Sequence, residues 1–234
     1  MLALVAACAG GFALLHSSLF GARHIVVTGD RRTSRAAVIR AAGLYGAPPL
    51  VDLDTAVIAR RVERLPWVES AKVSLSWPWD VTIRVTERVP VAAVALGAGH
   101  FAVCDPTGRV LEVVPGRPAS LPLLAGVAHV PPPGGTLAPG GRELSSVAAA
   151  MPQSMVAEST SLFLSPEGVE IGFRKDPIGL LGAADLLHEK FVSLATVFAH
   201  GGLTGVAVVD VRVPAAPVLL RRSPGPIVPA IGRG

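Results

Sequence analysis

The chain has 234 residues, of which 50% are hydrophobic and 16% charged, and its formal net charge is +4. The basic residues are nearly all Arg, clustered at 31–35 and 60–64 without interleaved aromatics, which excludes a nucleic-acid platform and leaves the charge as solvated surface. Two cysteines, Cys8 and Cys104, exclude a disulfide framework, so stability must come from apolar cores.

The first 22 residues contain no Asp, Glu, Lys or Arg. As a helix, Leu2 to Phe20 would span roughly 28 Å at about 1.5 Å per residue, close to a bilayer core. Its only polar residues, His16, Ser17 and Ser18, fall near the end, where they can reach headgroups. This predicts a transmembrane anchor over residues 1–22, in contact with the lipid bilayer through residues 2–20. A cleaved signal peptide is the alternative. The run exceeds the usual h-region of about 7–15 residues, lacks a basic n-region, and is followed by no A-x-A site. A lipoprotein reading of Val5-Ala6-Ala7-Cys8 leaves no room for an h-region before Cys8. Arg23, Arg31 and Arg32 follow the run and, taken alone, would hold the downstream side in the cytoplasm. A basic tail missing before Met1 would reconcile them with an extracytoplasmic body.

HIVVTGD (24–30) is a short β-rich run closed by Gly29. Thr33 or Ser34 can cap a helix with Val38, Ile39 and Ala42 on one face, and Gly43 suits its left-handed end. Asp52 or Asp54 starts a second helix, with Ile58, Val62 and Leu65 at helical spacing and Pro66 ending it. The period then changes to two: Val73, Leu75 and Trp77 share one face, as do Val81, Ile83 and Val85, with Pro78-Trp79-Asp80 turning between them. The order is β-α-α-β-β, with the helices covering one face of three strands.

A second domain follows. Short strands are expected at 91–95, 101–104 and 109–113, separated by Gly97-Ala98-Gly99 and Asp105-Pro106-Thr107-Gly108. A helix is expected over about 142–151. A hairpin around Pro166-Glu167 joins 161–164 to 168–173. A longer helix over roughly 179–199 would align Leu180, Ala184, Leu187, Phe191, Leu194 and Phe198, and strands at 206–213 and 218–222 finish the sheet. The proline-rich stretch 115–140 reads as an irregular connector. The fold class is therefore α+β: a transmembrane helix (1–22), a βααββ module (23–90), a mixed antiparallel β-domain with flanking helices (91–222), and a disordered tail (223–234).

Catalytic and metal chemistry finds no support. Gly97-Ala98-Gly99-His100-Phe101-Ala102 matches G-x-G-x-x-A, but a strand follows it where pyrophosphate binding needs a helix N-terminus. His188-Glu189 begins like H-E-x-x-H, yet Val192 stands where the second ligand belongs. No Walker loop, G-x-S-x-G elbow or Cys/His cluster occurs, so no enzyme activity, cofactor or metal is expected. Glu87 and Asp210 read as local hydrogen-bond partners.

LPWVESAKVSLSWPWDVTIRVTERVPVA (65–92) resembles the POTRA module of the FtsQ/DivIB bacterial cell-division proteins, in an actinobacterial-like form. It carries the Leu-Pro-Trp-Val turn at Pro66, the Trp77-Pro78 hairpin and the Glu-x-x-Pro ending at Glu87 and Pro90. IVVTGD, with Gly29, and Pro49-Leu50-Val51-Asp52 fit upstream. Downstream, FAVCDPTGRVL resembles the family's hydrophobic-D-x-x-G-x-V hairpin through Asp105 and Gly108, and LPLLAG (121–126) its LP-x-L-x-G stretch. Lys190, followed by VVDVRVPAAPVLLRR with Asp210, resembles the family's ending.

The resemblance implies a non-enzymatic, single-pass scaffold of the cell membrane and division septum, with its C-terminal part outside the cytoplasm. The implied partners are FtsB/DivIC-like and FtsL-like proteins and septal peptidoglycan synthase components. Strand addition is the physical means: an exposed sheet edge offers unpaired N–H and C=O groups that a partner strand satisfies. That edge is Val218-Leu219-Leu220-Arg221, with Lys190 as a nearby helix contact; the alternative is that this strand simply closes the sheet. Pro214 and Pro217 depart from an ideal edge by removing donors just before it. Trp79, in the hairpin turn, is the candidate surface contact of the POTRA module, while Trp67 and Trp77 compete as core or turn residues. A POTRA-bearing envelope transport or assembly factor is the alternative function. It would need a membrane β-barrel, and the residues after the module lack the alternating strands of about ten residues that build one.

Overall fold

The apolar start folds as helix α1 (Leu2–Leu15). At about 1.5 Å per residue it is about 21 Å long, shorter than the expected Leu2–Phe20 span. The computed structural model describes residues 1–16, 20–174, 177–201 and 203–221, and among them no helix is long and apolar enough to cross a membrane. The difference has a local cause. After α1, His16 pairs with Asp52 at 3.2 Å. Gly21 bridges Pro49, the Ala22 N–H donates to Pro48 O at 2.9 Å, and the Ala22 side chain is buried. Gly21 and Ala22 thus pack with the module that follows. Ser17, Ser18, Arg222 and the expected tail 223–234 lie outside the described residues.

The chain divides into two units, Met1–Val89 with Pro132–Gly135, and Pro90–Pro131 with Thr136–Gly234. In the first, β1 (His24–Thr28), β2 (Val68–Ser76) and β3 (Asp80–Glu87) form a sheet of order β1-β3-β2, with β1 parallel and β2 antiparallel to β3. The period-two pattern holds, since Val81, Ile83 and Val85 of β3 are all buried. Helices α2 (Arg35–Ala42) and α3 (Thr55–Val62) contribute Val38, Ala42, Ile58 and Val62 to the same core. Ser34, of the two candidates, caps α2 by accepting from Ala37 N, and Gly43 ends it at φ +73°. Asp54 caps α3 by accepting from Ala56 N and Val57 N. Pro66 does not end α3, which stops at Val62; it occupies the turn before β2, where Val68 N–H donates to Leu65 O at 3.1 Å.

The second unit is built on a nine-stranded sheet of order β12-β11-β10-β9-β8-β7-β4-β5-β6. Its strands are β4 (Ala92–Gly97), β5 (His100–Cys104), β6 (Val110–Pro115), β7 (Leu123–Leu124), β8 (Ser159–Ser165), β9 (Gly168–Phe173), β10 (Ile178–Gly182), β11 (Val206–Asp210) and β12 (Val218–Arg221). The β4–β7, β7–β8 and β10–β11 pairs are parallel and the other pairs antiparallel, so the sheet is mixed. Helices α4 (Pro139–Ala150), α5 (Gln153–Glu158) and α6 (Leu187–His200) supply Leu144, Val147, Met155, Val156, Phe191 and Leu194 to its core. The long helix expected over 179–199 is instead β10 followed by α6. Leu180 and Leu181, on opposite faces of β10, are both buried, so the segment carries no alternation to mark it as a strand. The expected irregular connector contains β7, which joins β4 to β8.

Candidate functional site

At one end of the large sheet, β12 pairs among the described residues with β11 alone, in the register Val209–Leu219 and Asp210–Val218. Residues Val218, Leu219 and Leu220 are 51%, 41% and 51% exposed, and Arg221 is exposed as well. A strand with both faces wet and one side unpaired among the described residues contributes little to the core it borders. It presents backbone donors and acceptors together with apolar side chains, the combination that a partner strand can complete.

Beside this edge, α6 and the β11–β12 loop enclose a groove of about 610 Å³, lined by His188, Val192, Thr196, Pro214 and Pro217 among others. Val192 is 52% exposed on the helix side. The prolines that remove donors before β12 thus form an apolar wall beside the edge. The loop is fixed at its start by Arg212. Its guanidinium donates to Asp210 through Nη2 at 2.7 Å and through Nε at 3.0 Å, and Nη1 reaches Glu167 Oε2 in the β8–β9 turn at 3.0 Å. The Arg212 hydrogen bond is the main cause holding the Asp210 carboxyl below its ordinary value. The stem of the same side chain covers Gly182, where an added Cβ would meet Arg212 Cγ at 2.8 Å.

Lys190 requires a correction. It is not an exposed contact beside the edge: it is 2% exposed, and Nζ donates to Ala183 O at 2.8 Å and to the Asp185 carboxylate. Its stem packs with the core while the ammonium ties the β10–α6 connection to the first turn of α6. Lys190→Met is therefore expected to cost about 1–3 kcal/mol, lowering the calorimetric transition of the second unit. Tryptophan emission, whose reporters Trp67, Trp77 and Trp79 lie in the first unit, should report no change.

Residues 20–88 match the model of the POTRA domain, FtsQ-type. Over nearly the whole chain, the sequence is 29% identical to the cell division protein FtsQ of Streptomyces bingchenggensis across 212 residues, covering 88% of this chain and 78% of that protein. The FtsQ of Zymomonas mobilis is 30% identical over 216 residues, covering 89% of this chain and 64% of that protein. The chain belongs to the FtsQ/DivIB family of bacterial cell-division proteins. For other FtsQ relatives the match spans about half of their own length or less, as with Streptomyces collinus at 36% identity over 125 residues, 52% of this chain and 47% of that protein. The solved major extracytoplasmic domain of DivIB from Geobacillus stearothermophilus aligns at 16% identity and a TM-score of 0.37, covering 49% of this chain and 93% of that one. That score is too low to define a shared arrangement.

The POTRA residues singled out by their FtsQ-type pattern are brought together in part. Glu87, at the end of β3, accepts from the backbone N–H of Arg31 at 3.1 Å, of Arg32 at 2.8 Å and of Thr33 at 2.7 Å. Its carboxylate thus closes the loop between β1 and α2, next to Gly29. Partial burial opposes its ionisation, but the Thr33, Arg32 and Arg31 backbone donors outweigh that and lower its pKa from the ordinary 4.5. The stabilisation is therefore fully present above about pH 4.5 and is lost as the pH falls through the lowered value. Glu87→Gln should destabilise the POTRA unit by about 1–2 kcal/mol at neutral pH. The gap from wild type should close in acid, as read by urea titrations of tryptophan emission; a constant gap would contradict the assignment.

Trp77, expected on one face with Val73 and Leu75, lies beyond the end of β2 and is 55% exposed, more than Trp79 at 39%. Pro78 turns the hairpin between them, and Trp67 is half-buried with the Arg32 guanidinium 5.1 Å from its ring centre. Asp105 is buried and accepts from Thr107 N, Thr107 Oγ1 and Arg109 N, a local turn closed by Gly108 at φ +77°. Pro90 stands at the start of the second unit. Burial, and then the neighbouring Asp105 charge, push the Cys104 thiol up to about 12. Asp185 and Arg212 were not singled out from sequence, and Glu167 was read there only as part of the hairpin turn. Arg212 lies two residues after Asp210 in the VVDVRVPAAPVLLRR stretch.

Proposed function

We propose that this chain is a membrane-anchored scaffold of the division machinery. Its second unit binds FtsB/DivIC-like and FtsL-like coiled-coil proteins outside the cytoplasm and helps link septum assembly to septal peptidoglycan synthase components. The observation that carries the reading is the position of β12 at the open end of a nine-stranded sheet, with Val218, Leu219 and Leu220 exposed. Strand addition satisfies its free backbone groups, and the groove beside α6 accepts apolar side chains of the same partner. In this reading the uncharged segment that begins with α1 is the anchor and would hold the protein at the cell membrane. Depletion in the host should give filaments with unsplit septa, and normal division after complete loss would overturn the proposal. A periplasmic-type reporter fused after Phe20 should be active outside the cytoplasm alone; activity inside would overturn the topology.

A further inference from the structure

The hairpin tip between β2 and β3 exposes two indoles where a water-facing turn would ordinarily be polar. Trp77 is 55% and Trp79 39% exposed. A turn that serves only to reverse the chain has no use for this much apolar surface.

Two observations tie the tip to the segment that leaves α1, and a third ties that segment to a neighbouring turn. Phe20 rests against Trp77 with ring centres 5.9 Å apart. The N–H groups of Arg23 and His24 both donate to Trp79 O, at 3.1 and 3.2 Å. On the other side, Gly21 bridges Pro49, and Val51, two residues further on, is 43% exposed. The strap from Phe20 to His24 is therefore held between the aromatic tip and the Pro49–Val51 turn. Asp52 lies 3.2 Å from the His16 ring nitrogen and Asp80 3.3 Å from that of His24, so the carboxylates nearest the strap each face an imidazole.

We infer that the β2–β3 hairpin docks into the interfacial layer of the same bilayer that holds α1, with Trp77, Trp79 and Phe20 among the headgroups. Indole suits that depth because its ring is apolar while its N–H is polar. Tethering by the helix makes the second contact intramolecular, so two indoles suffice where they would bind a free protein only weakly. The inference rests on the anchored reading of α1, and it fixes the POTRA unit against the membrane rather than leaving it to swing on the strap.

The test uses the full chain reconstituted into phosphatidylcholine vesicles, with and without phosphatidylglycerol, made with lipids brominated either near the headgroup or near the chain ends. Flotation with the vesicles reports the anchor, and tryptophan quenching reports the hairpin. A Trp67→Phe variant leaves only the hairpin tryptophans, and it should lose most of its emission to shallow bromines and far less to deep ones. A variant carrying Trp77→Ser and Trp79→Ser should still float and should keep its remaining emission. Should Trp67→Phe fail to fold, the wild-type chain still places two of its three tryptophans at the tip, so most of its emission must be lost to shallow bromines. A chain that floats with unquenched hairpin emission overturns the inference and leaves the anchor standing, with a protein partner then covering the tip. A chain that does not float overturns the anchor and this docking together.

Discussion

Replacing Gly29 by alanine will unfold the POTRA unit in conditions where the wild type is stable. Gly29 sits at φ +87°, and a Cβ there would lie 2.0 Å from Val85 O, a backbone atom of the central strand β3. Contacts below 3.0 Å essentially never occur for a real Cβ, and a carbonyl inside a ladder has no room to retreat. The same turn leads into the Arg31–Thr33 backbone that Glu87 holds, so a shift at Gly29 also breaks that carboxylate cradle. The expected cost is about 3–5 kcal/mol. Gly46→Ala is the internal comparison. Gly46 has nearly the same φ, +84°, but nothing within 4 Å of its added Cβ, so only backbone strain of about 1–2 kcal/mol remains. Urea midpoints followed by tryptophan emission should separate the two variants clearly; equal midpoints would refute the close-approach argument.

Ending the chain after Val213 should strongly weaken binding of the coiled-coil partners proposed above while leaving the folded body in place. A four-residue edge donating and accepting a few backbone hydrogen bonds at about 1 kcal/mol each corresponds to a loss on the order of 10²–10³ in affinity. Because Val218, Leu219 and Leu220 are exposed, little core is lost with them, and the calorimetric transition of the second unit should shift by only a few degrees. A milder variant separates side chain from backbone. Val218→Asp with Leu220→Asp changes one face of β12, since residues two apart in a strand point the same way, and should weaken binding about tenfold without touching the ladder to β11. Affinities measured against a purified partner ectodomain decide the matter. Unchanged binding after truncation would remove β12 as the docking edge.

What could be read from the residues follows a physical boundary. The POTRA strands were legible because one face is wet and the other dry, so Val81, Ile83 and Val85 alternate with polar neighbours. The helix caps were legible because their chemistry is local: Ser34, Asp54 and Gly43 each act within a few residues. β10 was hidden because both its faces are buried, and β7 because two residues in a proline-rich stretch form no pattern. Trp77 misled because the period of two was extended one step past the end of β2, where the strand no longer constrains the side chain. Lys190 misled for another reason. A lysine on a helix normally faces water, and only the fold brings Ala183 O and Asp185 back over α6 to satisfy its charge away from it. The groove, made from a helix and a loop distant in sequence, had no linear signature.

The β10–α6–β11 crossover has a mechanical consequence. The groove wall on α6 and the edge strand's neighbour β11 belong to one supersecondary unit, and β11 is hydrogen-bonded in parallel register to β10, Ile178 to Val208 and Leu180 to Asp210. A partner lying along β12 and pulling lengthwise loads every rung of these ladders at once in shear. A partner pulling across them would peel the rungs one after another. The edge is thus strong along one direction and weak across it, so the docking proposed above would hold best under load along the strand.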